Sequence, residues 1–155
     1  MFRNLGAFAS VLLCLIPISR VHAESDPSQT FRDFGLEGVW SPDCGNAPSQ
    51  DNPRVYYWVR SSGAFTHAVT FDGRTFALVD TISAASRVKK DHLRFSVMRN
   101  GLLALTATVE RQGTKIHTVT SVGADGTIYY SNGVEVLTGK PSLLDERCDG
   151  ASPIS

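Results

Sequence analysis

The 155-residue chain reads as an all-β domain, a small antiparallel up-and-down β-barrel of about eight strands behind a short helical turn. Three observations predict this. Short stretches rich in β-branched and aromatic residues recur through residues 54–138, most of them with apolar and polar positions alternating. Tight-turn pairs separate them, at Asp72-Gly73, Asn100-Gly101, Gln112-Gly113 and Asn132-Gly133. No long stretch carries apolar residues at helical spacing. A meander of this many strands removes its exposed edges most simply by closing on itself, with a flattened sandwich as the alternative.

Residues 1–23 have the form of a signal peptide: Arg3, an apolar run over residues 5–19, then Val21-His22-Ala23 with cleavage expected after Ala23. The run is short for a bilayer crossing, so no membrane anchor is expected to remain, and Val11-Leu12-Leu13 before Cys14 does not suit acylation. The expectation is therefore an exported protein, periplasmic or secreted. Cleavage removes Arg3 and Arg20 and leaves 13 basic residues against 15 acidic ones, a net charge of −2. That balance gives no electrostatic reason to bind nucleic acid. The remaining length suits one domain, residues 38–155, behind a polar leader and helical turn at 24–37.

Export leaves Cys44 and Cys148, an even pair in an oxidising compartment, and a disulfide is expected between them. They lie 104 positions apart, so closure is worth about 4–5 kcal/mol in the chain-entropy account. No Cys-x-x-Cys and no three ligands at zinc-like spacing occur, so neither a metal nor another cofactor is expected.

Taken in order, residues 24–29 are polar and contain Pro27, and read as a free leader. Residues 30–36 suit a single helical turn, Thr30 capping it and Gly35 stopping it, with Phe31 and Phe34 on one face. Gly38-Val39-Trp40 begins the first strand, and residues 42–53 form a linker rich in Pro, Asn, Ser and Gly. Residues 54–60 are a dense β stretch, and residues 64–71 set Phe65, His67, Val69 and Phe71 on one side. A two-residue turn at Asp72-Gly73 pairs Val69 with Phe76, His67 with Leu78 and Phe65 with Asp80, which leaves His67 and Asp80 as a diagonal polar pair on an apolar face. Residues 83–91 read as a polar interruption. A three-residue loop, 99–101, aligns Leu93, Phe95 and Val97 with Leu103, Leu105, Ala107 and Val109. Pairing Arg111 with Thr114 sets Ile116 opposite Val109, with His117 outward. Residues 128–130 and 134–138 make the last hairpin, and a short tail carries Cys148.

A short helix followed by Gly38-x-Trp40 resembles the start of the lipocalin and wider calycin barrels. The resemblance implies that Trp40 closes one end of the barrel beneath an arginine from late in the chain, for which Arg147 is the candidate. Gly38-x-Trp40-x-x-Asp43-Cys44 with Asn52-Pro53 and a lone late cysteine is also similar to a family of exported bacterial proteins of unassigned function.

No Gly-x-Ser-x-Gly, His-Glu-x-x-His or phosphate-loop pattern is present, so no catalytic residue is assigned and a non-enzyme is expected. The candidate ligand-binding residues are His67, Asp80, Phe65, Phe76 and Leu78, the inward row of the 65–80 hairpin. Tyr56, Trp58, Tyr129 and Tyr130 are further candidates to line a cavity, while His92 and His117 fall on polar faces. The expected function is non-catalytic binding of a small, partly apolar molecule inside the barrel. The alternatives are a protein-binding module, such as a secreted-protease inhibitor acting through residues 24–29, and a hydrolase or isomerase using His67 and Asp80.

Overall fold

A computed structural model describes residues 26–148 and 150; the signal segment and its cleavage site lie outside the described residues. The chain runs α1 (Pro27–Phe34), β1 (Gly38–Ser41), β2 (Arg54–Val59), β3 (Phe65–Thr70), β4 (Leu78–Lys89), β5 (His92–Arg99), β6 (Leu102–Gln112), β7 (Lys115–Gly123), β8 (Ile128–Ser131), β9 (Val134–Glu135) and β10 (Asp145–Arg147). β1 to β7 pair antiparallel in sequence order, and β10 lies between β7 and β1. Those eight strands form a closed antiparallel barrel, as expected. The closing strand is not the last predicted hairpin but the tail. The first half of β7 pairs with β10, and its second half pairs with the hairpin β8–β9, which extends the sheet outside the barrel.

The helix starts earlier than expected. Asp26, not Thr30, is the N-cap, its carboxylate accepting from the Ser28 amide at 2.9 Å, with Pro27 in the first turn and Gly35 as the left-handed C-cap. Residues 27–29 therefore belong to a docked helix, and only the part of the leader before Asp26 lies outside the described residues. Phe31 and Phe34 are buried, three apart and thus on one face. Phe31 stacks on Phe65 at 4.1 Å between centroids and touches Phe95, while Arg111 lies 4.5 Å over the Phe34 ring. The helix thus plugs one end of the barrel. Trp40, also buried, donates its Nε1–H to the Leu36 carbonyl at 2.7 Å and fixes the link between plug and wall. Arg147 is the Cα partner of Trp40 and lies against Gly38, where any Cβ would come within 3.0 Å of its Nε.

Four local expectations differ from the structure. Residues 71–77 form a longer loop, because the Asp72 carboxylate accepts from the Thr70 hydroxyl and from the amides of Arg74 and Thr75. The hairpin slips by two, so Val69 pairs with Leu78, His67 with Asp80 and Phe65 with Ile82. Residues 83–89 are not an interruption but the second half of the twelve-residue β4, largely exposed except for Ala85, which packs against the core. Between β5 and β6 the loop has two residues, Asn100 and Gly101, both at positive φ, and a bulge at Ala104 brings Leu105, Ala107 and Val109 back to the inner face. Arg111 pairs with Ile116 and Val109 with Thr118.

A second, smaller cluster packs on the outside of the wall: Val39, Tyr56, Ala68 and Cys148, with Cys44, Trp58 and Phe76 against them. Cys44 and Cys148 lie at disulfide distance, with Cα atoms 5.3 Å apart. The segment at 42–53 is ordered by two polar side chains rather than being a plain linker. Asn52 accepts from the Asp43 amide and donates to the Asp43 and Ala47 carbonyls, and the buried Arg54 guanidinium donates to the carbonyls of Asp43 and Cys44 and to Ser41. Among the described residues no helix is long and apolar enough to cross a membrane.

Candidate functional site

The helix fills one end of the barrel, and the other half holds a cavity of about 150 Å³. Leu78, Phe95, Val97, Leu105, Ala107 and Val109 supply its apolar lining, and Tyr57, His67, Asp80, Thr118, Ser121 and Tyr130 its polar one. Strand alternation explains the mixture. Each wall strand turns every second residue inward, and the row at this level runs Tyr57, His67, Asp80 across β2, β3 and β4 as direct Cα partners.

Arg99, at the end of β5, completes that row. Its Nε and Nη2 donate to the two oxygens of Asp80 at 2.9 and 3.0 Å, a two-pronged pair whose carboxylate side is 1% exposed and whose arginine is 50% exposed. The salt bridge engages both Asp80 oxygens. His67 donates no hydrogen bond to Asp80. Its Nδ1 is buried and has no partner, and its ring sits 5.2 Å from that of Tyr57. Burial lowers its pKa to about 4; the Asp80 charge opposes that shift and the Arg99 charge adds to it. The imidazole is therefore neutral in all but acid solution and offers one unfilled hydrogen-bonding position.

A second group escaped the sequence reading. Asp145, on the closing strand β10 and opposite the buried Ile116, has a buried Oδ1 with no partner. Burial raises its pKa to about 7. Its charge is felt at Tyr57 and Tyr130, whose phenols are pushed up first by burial. The interior thus holds a neutral imidazole and a carboxyl that keeps its proton to near neutrality, between two tyrosines.

Of the candidate residues, His67, Asp80 and Leu78 line the cavity. Phe65 lies in the wall against the plug, stacked on Phe31, and Phe76 is not inward at all: it stacks on Trp58 at 5.8 Å in the outer cluster. Tyr130 faces the cavity, Tyr56 and Trp58 join Phe76 outside, and Tyr129 is exposed. Tyr57, Arg99, Ser121 and Asp145 were not singled out. Among the described residues no three His, Cys, Asp or Glu side chains gather as a metal site would need. The fold and cavity define a class, a small closed barrel with a partly polar interior. Comparison with known proteins finds no family model, no curated protein and no solved structure that matches this chain.

Proposed function

We propose that the barrel binds one small, partly apolar molecule in its cavity without transforming it. The observation that carries the reading is a cavity lined half by apolar and half by polar side chains, among them a neutral His67 whose buried Nδ1 has no partner. A buried polar atom without a partner costs about 1–3 kcal/mol, and a bound group that fills the position recovers that cost. The volume sets the size: about 150 Å³ takes a molecule of roughly benzene's bulk, a single ring or a short branched chain with one hydrogen-bonding group. Export to an oxidising compartment belongs to the same reading and is supported by the Cys44–Cys148 pair. Inhibition of a protease through the leader has less support, since residues 27–29 are part of the helix that plugs the barrel.

Native mass spectrometry of the protein taken from the exported fraction, without refolding, tests the proposal. A co-purifying mass of up to roughly ten non-hydrogen atoms, lost or weakened about 5–150-fold by His67→Leu, is the expected result. A bound species whose occupancy His67→Leu leaves unchanged would remove His67 from the site.

A further inference from the structure

Outside the barrel wall, on the face opposite the cavity lining, side chains from β6, β7 and the segment after β9 meet. His117 on β7 and Glu110 on β6 are Cα partners, and His117 Nε2 lies 2.9 Å from Glu110 Oε2. His117 Nδ1 lies 3.0 Å from the hydroxyl of Ser142, in the segment that returns toward β10. We propose that Ser142, His117 and Glu110 form a nucleophile, base and carboxylate relay that hydrolyses small carboxylic esters, independently of the cavity.

One tautomer of His117 gives the proton positions the chemistry needs. The hydrogen bond from His117 holds the Glu110 carboxyl below its ordinary range, so Glu110 is an anion and accepts. With the proton of a neutral imidazole on Nε2 and donated to that carboxylate, Nδ1 is left as an acceptor facing the Ser142 hydroxyl. The Gln112 side-chain nitrogen donates to the same Glu110 oxygen at 3.5 Å. The geometry is also held. The Ser142 amide donates to the Gly133 carbonyl at 2.7 Å, and Pro141 bridges to Val134. Gly133, at φ 77°, lies against the imidazole, where a Cβ would stand 3.3 Å from Cε1. His117 is 15% exposed and Glu110 30%, so the base is shielded while the serine stays half-buried at the surface. Leu143 and Leu144 follow Ser142 with their side chains in solvent, an apolar patch for the acyl or alcohol arm of an ester.

In the reaction Ser142 Oγ bonds to the ester carbonyl carbon as its proton passes to His117 Nδ1. The bond to the alcohol oxygen breaks, and the alcohol leaves with that proton. Water, losing a proton to Nδ1, then attacks the acyl carbon, and Ser142 Oγ leaves and regains a proton. Ester and water become acid and alcohol, with no change of oxidation state. Ser142 and His117 are the catalytic residues and Glu110 is a positioning residue.

The test uses the purified protein, a fluorophosphonate probe and p-nitrophenyl butyrate. The expected result is one phosphonyl adduct, mapped to Ser142, and ester turnover that falls about 100-fold or more in Ser142→Ala and His117→Gln while thermal midpoints hold. Glu110→Gln should lower kcat about tenfold with KM unchanged, a split that a purely structural role does not give. Absence of an adduct at Ser142, or Ser142→Ala hydrolysing the ester at the unmodified rate, overturns the proposal.

Discussion

Replacing Asp145 by Asn should make the fold lose about 2 kcal/mol of stability between pH 6.5 and pH 4.5, replacing His67 by Leu should make it gain about as much, and the unmodified protein should change little. Two buried groups of opposite sign set this balance. The pKa of His67 falls from 6.5 to about 4 on folding. Its contribution is complete above pH 6.5 and is lost as the pH falls toward 4, because the unfolded chain binds a proton the native state refuses. Asp145 moves the other way, from 3.8 to about 7. Its contribution is complete below about pH 4 and is lost as the pH rises toward 7, because the native state keeps a proton the unfolded chain has released. Between its two pKa values each group makes the folded and unfolded states differ by about one proton, a slope of about 1.4 kcal/mol per pH unit, so integration over this window gives about 2 kcal/mol for each group, and the two cancel. The carboxylates that folding lowers, Asp26, Asp43, Asp72, Glu110 and Asp125, start from ordinary values of 3.8–4.5 and act below the window. Urea unfolding at pH 4.5, 5.5 and 6.5 reads the slopes within each protein, so the cost of either substitution drops out. Profiles for Asp145→Asn and His67→Leu that run parallel to the unmodified protein would refute the burial of both groups as described here.

Phe31→Ala should cost about 3–5 kcal/mol, the range for a buried aromatic truncated to a cavity, and a smaller loss would mean that α1 is a weak plug; thermal unfolding measures it. Arg99→Met leaves the Asp80 carboxylate buried and unpaired and should cost about 2–3 kcal/mol, most of it recovered in the double variant Asp80→Asn/Arg99→Met. If the double variant is no better than the single, the pair does not act as a unit. Replacing Cys44 and Cys148 together by Ser should cost about 4–5 kcal/mol in non-reducing denaturation, and the unmodified protein under reductant should fall to the same level.

Much of the barrel was legible because its inner face is written in alternation, and alternation survives a slip of two residues. His67 and Asp80 share a face whether the turn takes two residues or the seven of 71–77, so the face was right while the partners were not. Phe76 shows where that tolerance ends: inside the longer loop it no longer follows the strand's alternation and turns out to Trp58 and Tyr56. The β5–β6 hairpin brought Leu105, Ala107 and Val109 to the expected face by another device, a two-residue turn and a bulge that no residue type announces, while Leu103, expected in the same row, lies before the bulge and stays exposed. The closing strand β10 was missed because three residues, Asp145-Glu146-Arg147, carry no β signal, and with it went Asp145. A buried acid in such a stretch looks like a surface acid until the tail is known to complete the wall. Ser142, His117 and Glu110 were equally silent, since their meeting depends on pairing across β6 and β7 and on the path of the chain after β9.

The central claim, a ligand held beside His67 in a cavity of benzene's bulk, is tested most directly by NMR of the unmodified protein and of Ala107→Leu, which fills the cavity from its apolar side. The probes are phenol, imidazole and isobutyramide, and the signals read are those of the Ala107 neighbours Val97 and Leu105 and of the His67 ring nitrogens. Saturable shifts at these positions, with loss of the same shifts in Ala107→Leu, are the expected result. No saturable shift from any probe, or shifts that persist when the cavity is filled, would contradict the account.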